Sequence, residues 1–155
     1  MSLLHVSADR TVPAPADAVY ALLADYRDGH PRILPPAFSD YTVLHGGTGA
    51  GTVIRFALKL AGRRQVTEAR VDEPEPGRVL SETYPERGAV TRFTVDPVGD
   101  QSQVRIETSW EASRGLTGLI ERLVVPRVFR TLFTEELDLI ERWAIEQSTS
   151  RRGSG

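Results

Sequence analysis

One carboxyl group in this sequence shares the apolar side of a predicted strand. Leu80, Glu82 and Tyr84 alternate with Ser81 and Thr83, so Glu82 lies on the face that carries the larger apolar side chains. If that face is the inner one, burial disfavours the charged form of its carboxyl group. Such a group suits general acid or base catalysis on a carbonyl substrate. The competing interpretations are a solvated position on an edge strand and an ion pair with an arginine.

His30 is the second candidate for proton transfer, because an unperturbed histidine titrates near neutral pH. It stands in the segment DGHP, where Gly29 and Pro31 prevent a regular helix from continuing, so the competing role is to cap that helix. The hydroxyl groups of Tyr41 and Tyr84 can orient an oxygen atom on a ligand. Both residues fit equally well as core aromatics whose hydroxyl group reaches solvent.

The sequence offers no support for metal, nucleotide or nucleic-acid binding. It has no cysteine, and its three histidines, His5, His30 and His45, show no ligand spacing. The glycine-rich stretch HGGTGAG lacks the GK[ST] ending of a phosphate-binding loop and reads as a hairpin connection. The 19 basic and 21 acidic residues are interspersed, with no clustered basic face. We therefore predict no cofactor, no metal and no nucleic-acid partner.

The length and the hydropathy of the chain predict one cytoplasmic domain. Residues 1–147 suit a single domain, and the polar stretch STSRRGSG at 148–155 suggests a disordered tail. No run of 18 apolar residues is present, and the first residues, MSLLHVSADR, do not resemble a secretion signal. The sequence carries no signal for oligomeric state.

Periodicity predicts one strand, one or two short helices, six further strands and a long last helix. The strands fall at 4–12, from 39, and at 52–60, 64–71, 78–84, 90–96 and 103–112, with helices from about 15, near 32–34 and at 115–146. In the strand at 64–71 the inner face is open: Val66 would bring Glu68 inward, whereas Val71 would bring Thr67 and Ala69. The central Pro126 should kink or split the last helix.

These elements predict an α+β fold in which an antiparallel sheet is covered by the last helix. Short turns between consecutive strands make them antiparallel, and a sheet with one apolar face needs a cover. The last helix has two apolar stripes that could supply it: Leu116, Leu119, Ile120 and Leu123, and then Phe129, Leu132, Phe133, Leu137, Ile140 and Trp143.

The order of elements and several motifs resemble the START-like (Bet v 1-like) superfamily. The motifs are APADAVYALLADY, G-x-G-A-G-T, V-x-E-P-x-P-G-R-V-L, R-F-T-V-D-P and a terminal helix interrupted by proline. More narrowly, the chain looks like the polyketide cyclase/dehydrase group of bacterial SRPBCC proteins, over about residues 4–144. The resemblance implies a helix-grip fold, in which seven antiparallel strands wrap around the last helix and leave a deep pocket. Members bind lipids, sterols, hormones or polyketides, and the family has no universal catalytic motif.

Given that resemblance, we expect the proline-rich segment at 25–38 to form the mouth of the pocket, with an ordinary core plug as the alternative. Its candidate lining residues are Tyr26, His30, Ile33, Leu34 and Phe38. The remaining aromatics are predicted as pocket wall or plain core: Tyr41, Phe56, Tyr84, Phe93, Trp110, Phe129 and Phe133.

Two functions from different classes follow, and the first is favoured. One is the binding of an apolar or aromatic small molecule without chemistry. The other is a cyclase or dehydratase in which Glu82, with His30 or a tyrosine, moves protons. A third, weaker interpretation is a partner-binding helper of chaperones, which would call for an exposed apolar patch outside the pocket.

Overall fold

A computed structural model describes residues 3–153, and its elements follow the predicted order. They are β1 (Leu3–Val12), α1 (Ala16–Ala24), a 3₁₀ turn (His30–Ile33), β2 (Phe38–His45), β3 (Val53–Leu60), β4 (Arg63–Glu75), β5 (Val79–Tyr84), a second 3₁₀ turn (Pro85–Arg87), β6 (Ala89–Val98), β7 (Gln101–Glu111) and α2 (Gly115–Gly153).

The seven strands form one antiparallel sheet in the order β1-β7-β6-β5-β4-β3-β2. Consecutive strands pair through short turns, and β1 joins the far edge by pairing with β7 from Leu3↔Glu111 to Val12↔Ser102. The inner face packs against α1 and α2, and His5 on β1 is exposed. The predicted α+β fold, with two short helices after the first strand, is confirmed.

The open question about β4 has a clear answer in the structure. Thr67, Ala69 and Val71 are buried, whereas Val66 is exposed, so the second of the two alternatives holds. The strand also continues through Pro74 to Glu75, beyond its predicted end. A register shift between Asp72 and Glu75 accommodates the proline, since a bulge does not need every backbone donor.

Helix α2 departs from its prediction at two places. It is uninterrupted through Pro126, because the loss of one backbone donor is outweighed by the buried side chains that follow it, such as Phe133 and Leu137. It also continues past Ser148 to Gly153, where a disordered tail was expected. The Thr149 hydroxyl donates to the Ile145 carbonyl in these last turns at 3.0 Å. The final two residues of the expected tail lie outside the described part of the chain.

Only the second of the two apolar stripes on α2 is buried. Leu132, Phe133, Leu137 and Ile140 are at most 5 % exposed. The first stripe was expected to help cover the sheet, but it faces outward; its members are Leu116, Leu119, Ile120 and Leu123, each more than half exposed. Two contacts set this orientation of the first turns. The backbone carbonyl of Ser113 occupies the space that a side chain at position 118 would need, which Gly118 leaves free. Glu121 accepts hydrogen bonds from the Ser113 amide and hydroxyl groups.

The turn between β3 and β4 offers a simple stability test. Ala61 and Gly62 both have positive φ, at 50° and 77°, which suits a two-residue hairpin turn that favours asparagine at its first position. Replacing Ala61 with asparagine should raise the free energy of unfolding by about 1 kcal/mol, because the left-handed conformation is sterically less favourable for alanine than for asparagine. Urea unfolding measures the change in the free energy of unfolding. Gly62→Ala is the control and should lower it, because Gly62 also has positive φ. An Ala61→Asn variant no more stable than the wild type would contradict the argument.

Candidate functional site

A cavity of about 480 Å³ lies between the inner face of the sheet and α2. Its walls are mainly aromatic and aliphatic, and its polar groups fall into two sets. One set is buried: His30, Glu82, Thr67, Thr91, Thr108 and Glu136. The other belongs to exposed residues at the rim: Arg63, Gln65, Glu86, Arg87, Glu111 and Ser113. This size and composition are typical of a site for a small organic molecule.

Most of the side chains predicted from the sequence line this cavity. They are His30, Leu34, Phe38, Phe56, Glu82, Tyr84, Phe93, Trp110, Phe129 and Phe133. Their strands and helix bring them together because each sits at an inward position of its element, as the alternation indicated.

Three predicted lining residues lie elsewhere. Ile33 is fully buried in the core, and Tyr26 is fully buried behind Glu82. The hydroxyl group of Tyr41 donates to the backbone carbonyl of Tyr26 at 2.7 Å, so it fixes the segment rather than reaching the cavity. The segment at 25–38 is therefore both mouth and plug: His30, Leu34 and Phe38 face the cavity, and Tyr26 and Ile33 fill the core.

Glu82 is held by three polar side chains. The Tyr26 hydroxyl donates to Glu82 Oε1 at 2.8 Å, and the Tyr84 hydroxyl donates to Oε2 at 2.5 Å. The Nε2 atom of His30 lies 3.3 Å from Oε1. Because a carboxylate only accepts hydrogen bonds, the two phenol donors fit the charged form of Glu82. The interpretation of Glu82 as a solvated edge residue is wrong, since it is 4 % exposed on a central strand.

His30 links Glu82 to the end of α1. Its Nδ1 atom lies 2.8 Å from the carbonyl oxygen of Leu23, in the last turn of the helix. A carbonyl only accepts, so Nδ1 carries a proton and Nε2 faces the carboxylate. The ring stacks on Tyr26 and meets the edge of Phe93. His30 thus contacts the last turn of α1 and also lines the cavity, and its role in proton transfer stays a prediction.

The tyrosines beside Glu82 stay protonated. Burial raises the pKa of the Tyr26 hydroxyl well above its usual value, and the negative charge of Glu82 raises it further. Burial and then Glu82 act in the same direction on the pKa of Tyr84. Both phenols therefore act as hydrogen-bond donors at any pH the protein meets, and neither is a candidate base.

Glu136 is the functional residue that sequence reasoning missed. It lies on the inner face of α2, is 4 % exposed and lines the cavity. Burial raises the pKa of this carboxyl group well above its usual value, and the charges of Glu82 and then Glu135 add to the shift. The sequence did contain the signal, because position 136 lies three residues after Phe133 and four before Ile140.

Glu82 and Glu136 thus have different surroundings. Glu82 accepts hydrogen bonds from two phenol groups, which fits a carboxylate, whereas burial raises the pKa of Glu136 and favours its neutral form. A hydrogen-bonded carboxylate and a carboxyl group held in its neutral form are the usual arrangement of a base and an acid in one site. Among residues 3–153, no group of His, Cys, Asp or Glu could hold a metal ion, and no helix is long and apolar enough to cross a membrane.

The sequence and the fold together place the chain in a family. Residues 4–143 match the family described as polyketide cyclase / dehydrase and lipid transport. The chain belongs to this family. A search of curated protein sequences found no match.

Solved structures of other proteins show the same fold. The solution structure of the KanY protein is 30% identical, with a TM-score of 0.81 over 93% of this chain and 99% of that one. The Zhui aromatase/cyclase from Streptomyces sp. R1128 is 24% identical, with a TM-score of 0.77 over 95% and 96%. Norcoclaurine synthase from Thalictrum flavum, as a point mutant with a transition-state analogue, is 16% identical, with a TM-score of 0.73 over 95% and 97%. The last two likenesses concern the fold alone.

Proposed function

We propose that this family member binds an apolar or aromatic small molecule that carries an oxygen function. The observation behind this proposal is the cavity of about 480 Å³, whose apolar walls converge on one buried polar cluster around Glu82 and Glu136. Apolar walls supply affinity through burial, and a few placed polar groups supply orientation.

The protonation states within the cluster indicate which end of the ligand it receives. The neutral carboxyl group of Glu136 has a proton to donate, so it suits a ligand oxygen that accepts, such as a carbonyl. The Glu82 carboxylate already accepts from Tyr26 and Tyr84. A ligand carboxylate would meet like charge from Glu82, which disfavours anionic groups at this end.

An aldol-type cyclisation followed by loss of water is the second candidate, and the opposite charge states of the two carboxyl groups favour it. Glu82 would remove a proton from the carbon beside one carbonyl group, while Glu136 gives its proton to the oxygen of the carbonyl under attack. A carbon–carbon bond then forms and leaves a hydroxyl group. In the dehydration the roles reverse: the Glu136 carboxylate removes a proton from carbon, protonated Glu82 gives its proton to the departing hydroxyl, and both return to their starting states.

The exposed stripe of α2 also supplies the apolar patch that a partner-binding helper would need. That function gives no reason for a buried cavity with a neutral acid, so we prefer binding in the cavity.

Filling the cavity tests the proposal directly. Ala89 lines the cavity on β6, and its neighbours across the strands are Tyr84 and Trp110. Ala89→Phe should abolish the fluorescence increase of N-phenyl-1-naphthylamine that the wild-type protein produces, because the new ring occupies the ligand's space. Val90→Phe, on the opposite face of the same strand, is the matched control and should bind as the wild type does. Equal binding of N-phenyl-1-naphthylamine by the two variants would contradict the proposal.

A further inference from the structure

We propose that Thr67 receives a second polar group of the ligand, so that the ligand is an apolar rod with an oxygen function at each end. This inference rests on the proposed binding function and adds the class of molecule to it.

The hydroxyl group of Thr67 is the first observation. Thr67 is 6 % exposed and lines the cavity, yet its Oγ1 is buried without a hydrogen-bond partner among the described residues. Three other buried hydroxyl groups of the sheet are paired: Thr91 with Thr108 at 2.7 Å, and Ser102 with the Ala14 carbonyl at 2.5 Å. Native proteins rarely leave a buried hydroxyl group unpaired without a reason, and a ligand that enters the cavity is a sufficient one.

The strand register gives the distance between the two polar ends. Val71 on β4 pairs with Glu82 on β5, and Thr67 lies four positions before Val71, towards the turn that joins β3 and β4. At a rise of about 3.3 Å per residue, Thr67 is roughly 13 Å along the strand from the level of Glu82. One cluster of polar groups cannot serve both positions.

The surfaces between these levels are apolar. Phe56 pairs with Thr67 across β3 and β4, and its ring meets the edge of the Tyr84 ring. From the other side, Trp110 and Phe129 pack together on the cavity wall. The ligand that fits has a flat apolar middle, an oxygen acceptor for Glu136 at one end, and a hydroxyl or carbonyl group for Thr67 at the other.

A matched pair of probes tests this length and polarity. The first is trans-4,4′-dihydroxystilbene, and the second is 4-hydroxy-4′-methylstilbene, in which a methyl group of similar size replaces one hydroxyl. The wild-type protein should bind the first about tenfold more tightly, which corresponds to one added hydrogen bond. Thr67→Val should remove that preference, and Thr67→Ser, which keeps the hydroxyl group, should retain it. Affinity for the methyl probe should be the same in all three proteins.

The outcomes separate the inference from the proposed function. Equal affinity of the wild-type protein for the two probes, or a preference that survives in Thr67→Val, would overturn the role of Thr67 and leave the cavity as the binding site. Failure of both stilbenes and of N-phenyl-1-naphthylamine to bind the wild type would overturn the binding function and this inference together. Thermal unfolding checks the fold of each variant, and Thr67→Ala repeats the measurement if valine disturbs it.

Discussion

Replacement of Glu136 with leucine should make the protein more stable at pH 8, by about 1–3 kcal/mol, because it removes a carboxyl group whose charged form is disfavoured by burial. Most substitutions of a buried residue destabilise, so this result has an unusual sign. It follows from the position of Glu136, which is 4 % exposed between Phe133 and Ile140 on the apolar side of α2. Leucine keeps a similar volume and extends the stripe.

The gain in stability should depend on pH in a defined direction. Burial and the charge of Glu82 raise the pKa of Glu136 in the folded protein above its ordinary value of 4.5. Below 4.5 the carboxyl group is neutral in both the folded and the unfolded chain and costs nothing through ionisation. As the pH rises above 4.5, the unfolded chain releases this proton first, so the wild type loses stability relative to Glu136→Leu. The difference between variant and wild type should therefore grow from pH 4 to pH 8.

Urea unfolding at several pH values measures that difference. Glu146→Leu is the matched control, because Glu146 is exposed on the same helix and its replacement should give a small difference that does not depend on pH. A Glu136→Leu variant that is less stable than the wild type at pH 8 would contradict the assignment of a neutral acid.

The same substitution should remove any cyclase activity. If the protein closes 1-phenylhexane-1,5-dione to its conjugated cyclic enone, which absorbance follows, Glu136→Leu should lower the rate by about 10²–10⁴-fold, the usual contribution of a positioned acid. A variant that is more stable but inactive would show that Glu136 serves activity at a cost in stability.

The sequence predicted the fold because its signals are local and agree with one another. Alternation placed Ile54 and Phe56 inward on β3, and Thr91 and Phe93 inward on β6, and turns between the strands fixed their antiparallel order. Those rules state which face of a strand a residue occupies. They also put Glu82 on the same face as Leu80, and the structure shows that this face is the inner one.

The same rules do not state what covers a face or how deep a side chain lies. Leu119 and Ile120 have helical spacing, yet nothing in that spacing shows that their turn of α2 projects with its apolar side outward. Tyr26 and Ile33 were placed at the mouth by their position in the chain, whereas the structure buries both in the core. Glu136 was passed over because glutamate on a helix is usually solvated.

The two buried carboxyl groups have opposite effects on stability for one physical reason. Glu82 exchanges its lost hydration for hydrogen bonds from Tyr26 and Tyr84 and for the nearby His30. Glu136 faces the cavity, and burial disfavours its charged form. A buried charge is tolerated when donors surround it, so the hydrogen bonds suit a charged Glu82, whereas the surroundings of Glu136 favour its neutral form.

Glu82→Ala should therefore lower the free energy of unfolding by about 3–5 kcal/mol, the usual cost of removing one member of a buried charged network. The loss has a defined source, because the hydroxyl groups of Tyr26 and Tyr84 lose their acceptor at once and His30 loses its neighbouring carboxyl group. Glu68→Ala is the control. It breaks the half-exposed ion pair with Arg55, which should cost less than about 1 kcal/mol. Equal losses for the two variants, measured by urea unfolding, would show that the network around Glu82 does not stabilise the fold.

A double-mutant cycle shows whether the two carboxyl groups act as one unit. The negative charge of Glu82 is the second cause of the raised pKa of Glu136, after burial. In a Glu82→Gln background that charge is absent, so Glu136 ionises more readily and its replacement with leucine should stabilise the protein less than it does in the wild type. The expected coupling at pH 8 is of the order of 1 kcal/mol, within the range for residues that interact directly. Additive effects at pH 8 would mean that the two groups ionise independently, and the assignment of one as base and the other as acid would then have no electrostatic origin.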